Sequence, residues 1–459
     1  MRLATGVRRH RRGGAQLAFF ALALLLASCT GGAPASTPGG GHASGTPPPT
    51  APATATLSPK QAAAQAAAAA HAYRERQIRA TANWYLSRMS LDEKLGQMFL
   101  IETVWQGYNT DVDNMVAGMH AGAMIIYKQN MASPAQLKSY IASIQAHAAI
   151  PLMVSIDEEG GGVDRLGDVG FFPPQDAALT VANSGNPSVA RQEGETFAHE
   201  LKAMGINVDL APVVDVMTTP YPAELYTRFY GPYGTSPSVV EAYAGAFLQS
   251  LQQHGIAGTL KHWPGIGSTT QDPHETLPTI GHSKAELQTI DFAPFRALLA
   301  DDPAMIMVTH VMVPAYDQTF PATFSPTLVD GVLRGELGYQ GVVMTDSLYM
   351  GGIKAYLNDD NLYTELPKAA VLAVEAGDDL LEGAFDSASM SAMVHALKAA
   401  VSSGRISRSR IDDSARRILM LKARFGLLPL IAAGPLPPAP SSASAAIAPA
   451  TDADVPRAA

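Results

Sequence analysis

Between residues 95 and 427 eight short apolar runs recur: "GQMFLIE", "AGAMIIY", "PLMVSID", "NVDLAPVVDV", "AGTLKHW", "AMIMVTH", "GVVMTD" and "GDDLLE". Longer segments of helical pattern separate them, which is the signature of repeated strand–helix units around a parallel sheet. Eight such units in this length favour a closed (β/α)8 TIM barrel, an α/β fold with a single catalytic domain, over an open sheet.

The runs end on polar residues. The third finishes at Asp157, the fourth near Asp215, the fifth at Lys261 and His262, the sixth at His310 and the seventh at Asp346. In a parallel barrel the carboxyl ends of all strands lie on one face, where the loops shape a pocket. Any one of these endings, taken alone, reads equally as a helix or turn cap. Five together point to convergence on one site.

The chain's ends are unlike its middle. A basic head, "RRHRR", precedes "AQLAFFALALLLASC", an apolar run of secretory length closing on small residues and the only cysteine, Cys29. This resembles a bacterial lipoprotein signal over residues 1–28, with Leu26, Ala27 and Ser28 as lipobox and Cys29 as the lipidated first residue. A cleaved signal without lipid, or an uncleaved anchor helix, is the alternative. Residues 29–57 are rich in Gly, Pro, Ser and Thr and are expected to be a disordered tether. Residues 58–94 form an alanine-rich helical segment leading into the barrel, with a capping box at "SLDE", Ser90 to Glu93. Residues 428–459 return to Pro, Ala and Ser and are expected to be a disordered tail. The expected location is the outer face of the cytoplasmic membrane, anchored through lipid at Cys29. With a formal net charge of −9 and no basic run beyond the first dozen residues, nucleic acid is not an expected partner.

The stretch "KHWPGIGSTTQDPHETLP", Lys261 to Pro278, shows no strand or helix periodicity yet carries Lys261, His262, Asp272 and His274. Carboxylates, amine, guanidinium and imidazole without a phosphate-cradling glycine motif suit a neutral polyol held hydroxyl by hydroxyl. Asp157 can accept from adjacent hydroxyls and Lys261 can donate to another. The histidines lack a tight ligand spacing, so neither a metal nor another cofactor is expected at this site. Cleavage of a glycosidic bond with retention needs a carboxylate below the anomeric carbon and a proton donor at the leaving oxygen. Asp346 is placed for the first role. His274, oriented by Asp272, is a candidate for the second, although Asp-Pro-His by itself equally reads as an Asx-capped turn.

The chain resembles glycoside hydrolase family 3, in particular its single-domain β-N-acetylhexosaminidase branch. The resemblance rests on landmarks in order: "SIDEEGGGVDRL", "NVDLAPVVDV", "TRFYG", "KHWPGIG" with "DPHETLP", "MVTHVMVP", "PATFSP", "LRGELGYQGVVMTDSLYMGGI" and "AVEAGDDLL". It implies that Asp346 is the nucleophile of a covalent glycosyl-enzyme, that Asp272 and His274 are the acid/base dyad, and that Asp157, Arg165, Arg228, Lys261 and His262 hold the terminal sugar. It also implies a loop that swings about Pro264, Gly265 and Gly267.

Three positions depart from the family pattern: Gly162 stands where Arg is usual, Ile266 where His is usual and Glu158 where Gln is usual. Ile266 puts the aglycone preference in doubt more than the chemistry. The expected activity is that of a monomeric retaining exo-β-N-acetylglucosaminidase acting on peptidoglycan fragments or chitooligosaccharides. An exo-β-glucosidase, a glycoside phosphorylase and a catalytically silent sugar-binding lipoprotein are the alternatives.

Overall fold

The computed structural model describes residues 58–218, 232–432 and 434. The signal segment 1–28, Cys29, the tether 29–57, Arg228 and nearly all of the tail lie outside the described residues. Among the described residues no helix is long and apolar enough to cross a membrane.

Each of the eight runs carries one strand: β1 Phe99–Ile101, β2 Ala123–Ile125, β3 Met153–Ile156, β4 Val208–Asp209, β5 Ala257–Trp263, β6 Met305–Val308, β7 Val342–Thr345 and β8 Leu381–Ala384. They lie in the order β8-β1-β2-β3-β4-β5-β6-β7, every neighbouring pair parallel. The ring closes between β7 and β8 through a parallel bridge from Met344 to Leu380, with the Thr345 N–H donating to the Leu380 carbonyl at 3.0 Å. All residues of β3, β5, β6 and β7 are buried. That is why the runs of β3, β6 and β7 read as nearly continuous apolar stretches: their strands face side chains inside the barrel and helices outside it.

The expected capping box is present, with the Glu93 N–H donating to Ser90 Oγ at 3.2 Å and the Ser90 N–H donating to Glu93 Oε2 at 2.7 Å. The long helix Pro59–Leu86 buries only its final turns. Ile78, Ala82 and Leu86 pack with Ala415, Leu419 and Ala423 of the helix Arg408–Arg424. Leu428 is buried in the same cluster, and the Ile431 N–H donates to Thr81 Oγ1 at 3.0 Å, so order continues past the expected boundary at 427. An apolar side chain with a ready partner outweighed the Pro- and Ala-rich composition that follows it.

At the amino end of β8 the second aspartate of "GDD" is a structural clamp. Buried Asp379 accepts from Arg334 at 2.6 Å, Arg417 at 3.1 Å and Arg410 at 3.2 Å, which ties the barrel's underside to its last helix. The chemistry-bearing residues lie at the opposite, carboxyl face.

Candidate active site

The strand ends do converge. A cavity of about 310 Å³ at the carboxyl face is lined by Asp157, Arg165, Lys261, His262, His274 and Asp346, among others. Asp272 stands immediately behind His274. Of the residues expected at the site, only Arg228 lies outside the described residues.

Asp157 follows β3 and Lys261 lies within β5, so two rigid elements set their contact. Lys261 Nζ donates to Asp157 Oδ1 at 2.8 Å and pairs with Glu159 Oε1 at 2.5 Å. Arg165 faces the other oxygen of Asp157 at 3.7 Å. Burial works to raise the Asp157 carboxyl, but the Lys261 and Arg165 charges outweigh it and hold it below the usual carboxylate range. Glu159 and Arg165 reach the site through a hairpin after β3, Glu158–Gly160 with Val163–Asp164. Buried Glu158, where the family has Gln, braces that hairpin by accepting from the N–H groups of Arg165 at 2.9 Å and Leu166 at 3.1 Å. Burial and its contact with Asp164 push Glu158 up to about 10, so at neutral pH it is a protonated, amide-like group.

Asp346 follows β7. The Thr309 hydroxyl donates to its Oδ2 at 2.9 Å and the Ser347 N–H to its Oδ1 at 2.9 Å, which fixes the plane of the carboxylate. Burial works to raise it. The imidazoles of His310, His262 and His274 and the Ser347 N–H prevail and hold it below the usual carboxylate range. An ionised, oriented carboxylate is what a nucleophile at an anomeric carbon requires.

Two of the five polar endings support the site from behind. His310 is fully buried, with Nε2 donating to the Ser347 carbonyl at 2.8 Å. Asp215 accepts from His262 Nδ1 at 2.8 Å and from the Ile266 N–H at 2.9 Å, fixing both the imidazole and the turn where Ile266 replaces a histidine.

Asp272 and His274 ride together on the loop after β5. His274 Nδ1 donates to Asp272 Oδ1 at 2.8 Å, while the His274 side chain is 48 % exposed toward the cavity mouth. Burial works to lower the imidazole, but the Asp272 bond and the Asp346 and Asp157 charges outweigh it and raise it. His274 therefore holds its proton readily, as an acid must. The loop is tied down at both ends. Gly267 lies so close to Val216 that a Cβ would sit 2.0 Å from its carbonyl oxygen. The Gly351 and Gly352 N–H groups, after β7, donate to the carbonyls of His274 at 2.8 Å and Pro273 at 3.0 Å.

Sequence reasoning missed one wall of the cavity. Tyr127, Tyr349 and Glu382 line it together with Glu159. The Tyr127 hydroxyl donates to Glu382 Oε1 at 3.0 Å, and Glu382 Oε2 has no partner among the described residues. Behind them the Tyr349 hydroxyl donates to buried Glu102. Burial pushes Glu102 up to about 7 and Glu382 well above the usual range, so this wall carries carboxyl groups able to donate as well as accept. Glu102, Tyr127 and Glu382 are the last residues of the first, second and eighth apolar runs, so the strand-ending signal that found the other five was present in these also.

Residues 90–421 match the family described as "Glycosyl hydrolase family 3 N terminal domain". The chain is 31% identical over 313 residues to an uncharacterized secreted glycosyl hydrolase of Arthroderma benhamiae, covering 66% of this chain and 85% of that one. It is 35% identical over 241 residues to a beta-hexosaminidase of Nitrosomonas eutropha, covering 51% and 67%. Among solved structures, the family 3 beta-N-acetylglucosaminidase of Paenibacillus sp. superposes with a TM-score of 0.68 at 35% identity, covering 77% of this chain and 65% of that one.

Proposed function

Since the chain belongs to glycosyl hydrolase family 3 and is a glycoside hydrolase, we propose that it removes terminal β-linked N-acetylglucosamine from the non-reducing ends of peptidoglycan fragments or chitooligosaccharides, with retention. The observation that carries the reading is that two groups of opposite tendency line one cavity: Asp346 after a strand, held below the usual carboxylate range, and His274 on a loop, its imidazole raised by Asp272 and the nearby carboxylates. A cavity of about 310 Å³ suits a single sugar ring, which favours exo action. The names of a beta-hexosaminidase relative and of a beta-N-acetylglucosaminidase with the same fold support the choice of sugar.

In the first step an Asp346 oxygen attacks the anomeric carbon while His274 passes its Nε2 proton to the departing glycosidic oxygen. The carbon–oxygen bond breaks and a glycosyl ester forms on Asp346. In the second step His274, now neutral, takes a proton from water as that water attacks the same carbon and Asp346 leaves. Asp272 steadies the imidazolium each time it forms. Asp157, Lys261 and Arg165 grip the ring hydroxyls, and Glu382 offers a further acceptor in the cavity lining.

Comparing p-nitrophenyl N-acetylglucosaminide with p-nitrophenyl glucoside, each with and without inorganic phosphate, tests this reading. Preference for the acetamido sugar and no phosphate dependence are expected. Glucoside preference or phosphate-dependent turnover would assign the chain to the other two activities.

For location, the signal-like segment before Cys29 supports a lipid-anchored envelope protein. Cys29→Ala should release it from membranes with turnover unchanged. Retention of that variant after a salt wash would contradict the anchor.

A further inference from the structure

Outside the sugar site, one cluster of metal-type ligands stands on the barrel's outer ring. Glu195 and His199 are four residues apart on the helix Pro187–Met204, which places them on one face. His254 immediately follows the neighbouring helix Pro237–Gln253. Glu195 Oε1 lies 3.6 Å from His254 Nε2 and 3.8 Å from His199 Nε2, and one ligand atom from each residue falls within 4.8 Å of the others.

Three features make this more than a chance meeting of polar side chains. The carboxylate-to-imidazole separations are too long for hydrogen bonds, yet close to the about 3.3 Å that separates two ligand atoms held 2.0–2.1 Å from a tetrahedral ion. His254 Nδ1 donates to the Ser250 carbonyl at 2.8 Å. That bond places the ring proton on Nδ1 and leaves the Nε2 lone pair turned toward Glu195, the outer-sphere arrangement that fixes a metal-binding tautomer. The third feature is access. Glu195 and His199 side chains are 51 % and 67 % exposed, so an ion can enter and a solvent oxygen can complete the shell.

We propose that Glu195, His199 and His254 form a zinc(II) site that clips the two helices together. Two imidazoles and one carboxylate suit a borderline ion and suit calcium or magnesium poorly, because those ions take oxygen ligands almost exclusively. Two ligands come from one helix and the third from the end of its neighbour, so the bound ion links elements that flank β4. Binding to the folded chain alone stabilises it by mass action. None of the three residues lines the sugar cavity, so the site's effect is on stability and not on the bond-breaking steps.

The test uses the full-length protein freed of metal with EDTA, with zinc chloride alone as the probe. Calorimetric titration and thermal melts are run on the parent, His199→Ala and His254→Ala. The parent should bind one more equivalent of zinc than either variant. Its melting temperature should rise by a few degrees with zinc and fall back on EDTA, whereas calcium or magnesium chloride should leave it unchanged. Both variants should lose the zinc-dependent rise and keep the parent's metal-free turnover. Counting equivalents against the variants separates this site from any zinc that binds Asp272 and His274. Equal zinc stoichiometry in parent and variants, or a melting shift that calcium reproduces, would overturn the assignment.

Discussion

One carboxylate oxygen of Asp272 binds His274 twice: Oδ1 accepts from the His274 backbone N–H at 2.9 Å and from the ring Nδ1 at 2.8 Å. A two-residue spacing across Pro273 allows both bonds at once. The imidazole is thereby fixed in orientation and tautomer by a group on its own loop, so the dyad moves as one piece whenever the loop moves.

The pH profile should report this pairing. The proposed first step needs His274 protonated, so kcat/KM for substrates with poor leaving groups should fall as pH rises through the His274 value, which lies above the ordinary 6.5. Asp272→Asn removes the negative charge that raises that value, leaves only a weaker neutral acceptor for the ring N–H, and keeps the burial that lowers it. The basic limb should move to lower pH and the rate should drop. A basic limb that stays in place would mean another group sets it.

The loop's dock gives a second prediction. A Cβ on Gly351 would lie 2.5 Å from the Glu275 carbonyl and 2.7 Å from the His274 carbonyl oxygen, both backbone atoms that cannot turn aside. Gly351→Ala should lift His274 away from the leaving oxygen. We expect kcat for unactivated glycosides to fall on the order of 10–100-fold. An activated dinitrophenyl glycoside, whose leaving group departs unaided, should lose much less in the bond-breaking step. Equal loss on both substrates would show that the dock does not serve the proton donor.

The strands were legible because a barrel buries them completely, which leaves apolar runs such as "AMIMVTH" that turn polar at the carboxyl end. The division of labour among those ends was not legible. His310 and Asp215 follow the same pattern as Lys261 and Asp346, yet they serve behind the cavity, because depth along a strand and the course of neighbouring loops decide which side chain reaches the open space. Glu159 was hidden by the glycine run after it: "EEGGGV" reads as a flexible loop, whereas Gly160 and Gly161, with φ of 77° and 59°, turn the chain into a hairpin that returns Arg165 to the site. The resemblance to family 3 supplied roles for Asp272 and His274 that their spacing alone left open.

Lys422 gives a stability prediction independent of the site. It is fully buried, its amine donates to Gln97 Oε1 at 2.6 Å, and burial pushes that amine down from 10.5 to about 7. The unfolded chain keeps that proton up to 10.5, so the destabilisation is complete below pH 7 and is relieved as pH rises from 7 to 10.5. Lys422→Met, of similar length and without the charge, should raise the melting temperature by a few degrees near about pH 6 and by less near about pH 10. A gain that does not depend on pH would show that the amine is not perturbed as its burial implies.

In the proposed mechanism Asp346 is the residue that becomes glycosylated. Incubation with 5-fluoro-N-acetylglucosaminyl fluoride, which forms the glycosyl ester faster than water removes it, followed by peptide mass mapping, should place the sugar on Asp346. Asp346→Asn should take up none and should lose at least ~10³-fold in turnover. An adduct on any other residue, or an Asp346→Asn variant that still forms one, would contradict it.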